Sequence, residues 1–373
     1  MINKLIKYSF CCVLSLFLFG GGSAALAQAP APAKAADFKH LFTPPLAYVA
    51  GFAKVAPEID GDVYGDKVWE RAVWTESFSD IEGDLKPKPR HNTRAKMLWD
   101  KNYLYIAAEM EEPGVWANIT KHDEVIFYDN DFEVFIDPDN NTHQYFEIEL
   151  NALNTVFDLF LSKPYRNNSG ALIPWDAKGM KSAIKVLGSI NDASDQDKGW
   201  TVEMAIPFSC ISIGNDPVIP KDGSLWRINF SRVEWDTKGT GSKYEKLKDK
   251  NGKVLPENNW VWSPQGVINM HLPERWGYLQ FSSKEEPGSF VLPYTEQQKQ
   301  YLWLLYYRQK EYHSRHGRYA SNIATLGFPA ASFSISGKLN SLKMEAGTRQ
   351  FNAIISAGKS SWSINDEGLI QAL

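Results

Sequence analysis

From Asp131 to Asn151 the chain alternates apolar and acidic residues over two stretches, Asp131–Asp137 and Tyr145–Asn151, separated by a turn rich in Pro, Asp and Asn. A period of two belongs to extended backbone, because successive side chains of a strand point to opposite faces. Phe132, Val134, Ile136, Phe146, Ile148 and Leu150 therefore share one face and predict a core. Asp131, Glu133, Glu147, Glu149 and Asn151 gather on the other. Four acids and an amide on neighbouring strands describe either a polar surface that holds a ligand or a solvated face paired with basic residues. Arg94, Lys96, Arg227 and Arg232 are the candidates for that pairing.

Turn chemistry recurs every 8–15 residues from about Phe38 to Ser283, the rhythm of an all-β sandwich or barrel. Asp100-Lys101-Asn102 reads as a tight hairpin between strands, and Asp60-Gly61-Asp62 leads into a short helical turn whose Trp69 fills the core. After Glu285 the pattern changes. Residues 295–316 have helical periodicity, a capping-box spacing at Thr295 and a basic last turn closed by Gly317, and short strands follow. The expected fold is an antiparallel two-sheet β-sandwich of immunoglobulin or jelly-roll kind, residues 38–284, with a small C-terminal α+β extension, residues 285–373.

The N-terminus has Lys4 and Lys7, an apolar run from Tyr8 to Gly22, and Ala25-Leu26-Ala27 as a small-residue cleavage site. This is the pattern of a secretory signal peptide over residues 1–27, with 28–37 as a tether, and it predicts a secreted or periplasmic protein. No membrane span is expected once the signal is removed. Of the 3 cysteines, Cys11 and Cys12 fall within the signal, so Cys210 has no intramolecular disulfide partner. Stability must then come from a core, for which 13 Trp, 20 Phe and 16 Tyr are available. A net charge of −4 gives no electrostatic reason to expect a nucleic-acid partner.

Three groups of residues carry candidate chemistry. Glu133, Glu147 and Glu149 suit hydrogen bonding to sugar hydroxyls, or the paired carboxylates of glycoside hydrolysis. Trp260 and Trp262 share one side of an extended segment, and an indole face packs well against a pyranose ring, although both rings also suit a core. The turn Asp137-Pro138-Asp139-Asn140-Asn141 is dense in oxygen donors, which fits calcium or ordinary Asx-turn chemistry. His271, between Met270 and Leu272, reads as a hydrogen-bonded structural histidine. A phosphate loop, a nucleophile elbow and metal-binding histidine spacings are absent from the sequence.

In this order along the chain stand Pro57-Glu58-Ile59-Asp60-Gly61 with Trp69, Leu98-Trp99-Asp100-Lys101-Asn102-Tyr103-Leu104-Tyr105, Asp131-Phe132-Glu133-Val134-Phe135-Ile136-Asp137, Gly199-Trp200-Thr201-Val202-Glu203-Met204-Ala205-Ile206-Pro207 and Trp276-Gly277-Tyr278-Leu279. The series resembles the family 9 carbohydrate-binding modules over about Val55 to Phe281. That resemblance implies a β-sandwich that grips sugar between two tryptophans, with polar side chains on the hydroxyls and structural calcium. Phe127-Tyr128 stands in the place of the first tryptophan, and Trp262 in the region of the second. Glu133 matches a sugar-contacting glutamate, and Glu147 lies where the family can use an arginine.

The expectation is thus a non-catalytic protein that binds oligo- or polysaccharide through Tyr128, Glu133, Glu147, Glu149, Asn151 and Trp262. It needs no cofactor for binding, and Asp137 and Asp139 are the ligand candidates for a structural Ca²⁺. The alternative from another class is a glycoside hydrolase that uses two of the carboxylates.

Overall fold

The computed structural model describes residues 35–214 and 217–373; the expected signal peptide, and the tether as far as residue 34, lie outside these. Among the described residues the chain is mostly β with one α-helix. In chain order the strands of the main body are β1 (Ala47–Phe52), β2 (Ser79–Asp80), β3 (Thr93–Trp99), β4 (Tyr103–Glu111), β5 (Asp131–Asp137), β6 (Tyr145–Asn151) and β7 (Val156–Leu161). They continue with β8 (Ala171–Leu172), β9 (Lys181–Leu187), β10 (Gly199–Pro207), β11 (Leu225–Glu234), the hairpin β12–β13 (Thr237–Thr240 and Lys243–Lys246), β14 (Asn258–Val261) and β15 (Gly277–Phe281).

The main sheet runs β8-β7-β6-β5-β11-β15-β1-β3-β4-β10-β9, with β14 on β11 and β2 on β14. Its pairs are antiparallel with two exceptions. β1 lies parallel to β15 through Ala47–Ala50 and parallel to β3 through Gly51 and Phe52, so one strand joins the two halves of the path. The sheets expected from the sequence are therefore continuous through β1, and the body is not antiparallel throughout.

The alternation that defined β5 and β6 places their apolar residues as expected. Phe132, Val134, Ile136, Phe146, Ile148 and Leu150 enter one core with Met97, Ile106, Trp200, Val202 and Met204 from the other half of the path. Trp69 is fully buried on a 3-10 turn, Lys67–Arg71, capped by Asp66. Its indole N–H donates to Glu203 Oε1 at 2.6 Å, while Glu203 Oε2 accepts from the Asp60 and Gly61 amides. One buried carboxylate thus ties the Asp60-Gly61 turn and the Trp69 plug to β10. At the β3–β4 hairpin, Asp100 Oδ1 accepts from the Asn102 and Tyr103 amides, the Asx geometry that makes such a turn tight.

Residues Phe38–Leu373 form one compact unit. In it α1 (Tyr294–His316) packs on a five-stranded sheet of β16 (Ser332–Ile335), β17 (Lys338–Ala346), β18 (Phe351–Ala357), β19 (Ser360–Asn365) and β20 (Ile370–Ala372), paired in sequence order. Leu302, Leu305 and Tyr306 of the helix meet Leu342, Ala353, Ile355 and Ile364 of the sheet in a core of their own. Gly317 closes the helix in the left-handed conformation, φ 65°, as its position predicts. The capping box does not form. The N-cap is Pro293, and Gln298 is taken up by Asn340 and Ser360 of the sheet; the buried Glu296 reaches Arg227 of β11 at 3.2 Å, Lys299 at 2.8 Å and Asn140 at 3.0 Å. The bonds of Glu296 to Arg227 and Asn140, with that of the Tyr307 hydroxyl to Glu274, dock the helix on the main body through polar groups.

Candidate functional site

On the face of β5 and β6 opposite the main core, Asp131, Glu133, Glu147 and Glu149 come together as their spacing requires. Glu133 lies directly across the ladder from Glu149, and oxygens of Asp131, Glu133 and Glu149 lie within 4.8 Å of one another. The face is not wetted. Glu133 and Glu147 are 6% exposed and Glu149 is 3% exposed, beside an apolar pad that includes Ile126, Phe135, Tyr145 and Trp276. Asp131 Oδ2, Glu147 Oε2 and Glu149 Oε2 are buried without a hydrogen-bond donor.

The basic residues that could have paired with these acids are committed elsewhere. Arg94 binds Glu109, Lys96 Nζ donates to Trp69 O at 3.0 Å, Arg227 reaches Glu296, and Arg232 reaches Glu112 and Glu234. A solvated, cross-paired face is therefore excluded by the geometry. What remains is a buried acidic patch with unfilled acceptors, costly unless protons or a ligand satisfy it.

Burial pushes the Glu133 carboxyl up to about 7, opposed by the Ser231 hydroxyl and reinforced by Glu257. Asp131, Glu147 and Glu149 are raised well above the usual carboxylate range, first by burial and then by Glu133 and by one another. The patch therefore holds protons near neutral pH and can donate as well as accept hydrogen bonds. Because Glu133 titrates near 7 when folded and near 4.5 otherwise, the folded chain binds more protons between those values, and stability falls as pH rises through them. That shift corresponds to about 3 kcal/mol. Urea unfolding at pH 5 and pH 8 is expected to show Glu133→Gln losing much less stability over that interval than the parent chain. Equal losses in the two proteins would refute this.

Tyr128 is an exposed aromatic, 56% accessible, at the end of the 3-10 turn Ile126–Tyr128 and tilted against Phe127 with ring centroids 4.6 Å apart. Lys246 of β13 stands 5.6 Å from the Tyr128 ring and 3.3 Å from the Trp235 ring. Burial draws its ammonium down to about 8, while Asp129 and Glu257 favour its charge. Glu257 also lines an open groove of about 500 Å³ with Lys86, Pro87, Arg90, Asn258, Asn259 and Ile268. Lys246, Trp235 and Glu257 are absent from the sequence-derived site. The segment that bears Lys246 and Glu257 has no apolar periodicity, yet it folds as the β12–β13 hairpin and returns over Trp235.

Two sequence-derived positions do not present themselves to a ligand. Trp262 is 1% exposed in the main core, tilted against Phe230, with its N–H donated to Glu76 at 3.2 Å. Gly277 supplies the space for that indole, since a Cβ there would collide with the ring. Trp260 is buried as well. Asn151 has both ends committed: Oδ1 accepts from Leu153 and Thr155 amides, and Nδ2 donates to Ile119 O and Asp129. Its role is to hold the loop before β5. His271 is the structural histidine expected, joined to the Tyr145 hydroxyl at 2.9 Å and kept neutral by burial, which draws it down to about 3.

The calcium expectation meets a short donor set. Asp137 Oδ1 is buried without a donor, but Asp137 Oδ2 accepts from Thr142 N, and the Asn140 and Asn141 side chains are bonded to Arg227, Glu296, Asp139 and His143. Among the described residues no third acidic or histidine side chain joins Asp137 and Asp139 in a ligand group. Two carboxylates alone fall short of the six or more oxygens a hard cation takes.

Exoglucanase XynX of Acetivibrio thermocellus is 27% identical over 168 residues, 44% of this chain and 13% of that one. Endo-1,4-beta-xylanase C of Paenibacillus barcinonensis is 26% identical over 204 residues, 50% of this chain and 16% of that one. The chain thus matches only a small part of the length of these relatives. A family 9 carbohydrate-binding module from Caldicellulosiruptor kristjanssonii, solved with cellotriose, aligns over 66% of this chain and 100% of its own at 16% identity and a TM-score of 0.39. The model of the carbohydrate family 9 binding domain-like family matches residues 59–263, a stretch that contains β5, β6, Tyr128 and the acidic patch. With more than half of the chain inside that match, the protein belongs to the carbohydrate family 9 binding domain-like family.

Proposed function

We propose that this chain is an exported, non-catalytic protein that binds oligo- or polysaccharide and serves polysaccharide breakdown. The signal-peptide pattern of residues 1–27 supports export to the periplasm or beyond. No helix among the described residues is long and apolar enough to cross a membrane. We read the body as a two-sheet β-sandwich carrying an α+β extension, because one core draws on both halves of the strand path and the tail has a separate one.

The observation that carries the reading is an exposed ring, Tyr128, linked through Lys246 and Glu257 to acids left without basic partners, in a chain of this family. A sugar ring stacks on Tyr128 while its hydroxyls exchange hydrogen bonds with Lys246, Glu257 and the rim of the Glu133, Glu147 and Glu149 patch. Asp131, Glu133 and Glu149 each bring one oxygen within 4.8 Å of the others. Their raised proton affinities also leave no well-ionised nucleophile, which favours binding over turnover.

A glycan array followed by calorimetry tests this. Tyr128→Ala is expected to weaken the best ligand about fivefold, since one stacking contact contributes on the order of 1 kcal/mol. Its stability should stay within about 0.5 kcal/mol of the parent, as befits an exposed side chain. An array with no bound glycan, or undiminished affinity in Tyr128→Ala, would sink the proposal.

A further inference from the structure

A second cluster, outside the acidic patch, joins three segments far apart in sequence. The loop between β4 and β5 supplies His122 and Asp123, β7 supplies Asp158, and the turn before β9 supplies Asp176. His122 Nε2 stands 3.1 Å from Asp176 Oδ1, 3.4 Å from Asp123 Oδ1 and 3.7 Å from Asp158 Oδ1. One donor atom from each of the four lies within 4.8 Å of the others.

Asp158 supplies an independent indication. It is 2% exposed, its Oδ2 accepts from the Ala177 amide, and its Oδ1, turned to the cluster, has no hydrogen-bond donor. Asp123 Oδ1 is buried in the same condition. An ionic pair between imidazolium and carboxylate would be satisfied by one acid; here three surround one ring nitrogen. First-row divalent ions bind imidazole nitrogen and carboxylate oxygen at about 2.0–2.2 Å, which sets neighbouring donors roughly 3–3.5 Å apart. The His122 spacings to Asp176 and Asp123, 3.1 and 3.4 Å, are of that size, and the one to Asp158, 3.7 Å, is slightly longer. A nitrogen ligand in the set also separates this site from the all-oxygen shells that calcium and magnesium prefer.

We infer that His122, Asp123, Asp158 and Asp176 form a site for a divalent first-row transition ion, with Zn²⁺ the foremost occupant. The ion pins the loop between β4 and β5, which also bears Tyr128, to β7 and to the turn at Asp176. The inference stands on its own, apart from the carbohydrate reading.

The full chain, stripped with EDTA, is titrated with Zn²⁺, Mn²⁺, Ca²⁺ and Mg²⁺ by calorimetry and thermal unfolding. Zn²⁺ is expected to bind the His122 site and to raise Tm by about 5 °C at a free concentration about 100-fold above Kd. His122→Ala and Asp176→Asn, both at accessible positions and checked for an unchanged metal-free Tm, are expected to weaken Zn²⁺ at least about tenfold. No Zn²⁺ response, or an equal response in the parent and both variants, overturns the inference. So does a preference for Ca²⁺ that His122→Ala leaves untouched.

Discussion

Trp262→Ala is expected to cost about 3–5 kcal/mol of stability, the range for emptying an aromatic site in a close-packed core. The ring is 1% exposed, lies against Phe230, and fills the space that Gly277 leaves open. Neighbouring backbone cannot collapse readily into the hole, because β11, β14 and β15 are hydrogen-bonded to one another around it. Denaturant unfolding should therefore show a large fall in midpoint. In the fraction that remains folded, saccharide affinity should persist. Tyr128→Ala gives the opposite pattern, and the contrast separates the core aromatic from the ligand aromatic. Stability unchanged in Trp262→Ala, together with lost binding, would return the indole to the binding surface.

Glu274→Ala is expected to cost about 3–5 kcal/mol as well, by a different mechanism. Glu274 binds Arg166 through both oxygens, at 2.6 and 3.0 Å, and accepts from the Tyr307 hydroxyl of α1. Its side chain is 1% exposed and that of Arg166 is 17% exposed, with the guanidinium 5.6 Å from both the Trp303 and Tyr306 rings. Removing the carboxylate leaves a largely buried guanidinium without its counter-charge and Tyr307 without its acceptor. The loss should concentrate where α1 meets the main body, so hydrogen exchange along Trp303–Tyr307 should accelerate more than in β5 or β6. Uniform exchange in the variant would argue against a local role for the pair.

The residues legible in the sequence were those under a strict local rule. The period of two in β5 and β6 placed Phe132, Val134, Ile136, Glu133 and Glu149 on the correct faces, and Asp100 and Gly317 marked a turn and a helix end. What such rules miss is set by distant partners. Thr295 and Gln298 have capping-box spacing, but the helix begins after Pro293, and Asn340 and Ser360 hold the Gln298 side chain against the sheet. β1 has too little alternation to be noticed, since its strand neighbours lie at residues 98–99 and 278–281. β19 is Ser-Ser-Trp-Ser-Ile-Asn and shows no apolar stripe. In the site, Glu133 and Tyr128 are visible because one lies within a strong strand and the other just before it. Lys246 and Trp235 meet only through the return of a charged hairpin, and the burial of Trp262 depends on a glycine 15 residues onward.

The parallel seating of β1 also governs the order in which the body can be completed. β15 is the strand that fits between β11 and β1, and it comes near the end of the body. A chain emerging from its N-terminus thus keeps the facing edges of β11 and β1 open until Phe281 is available, and cannot join the two halves before then. Closure over such long sequence separations is slow, and an unfinished chain exposes strand edges that invite association with other copies.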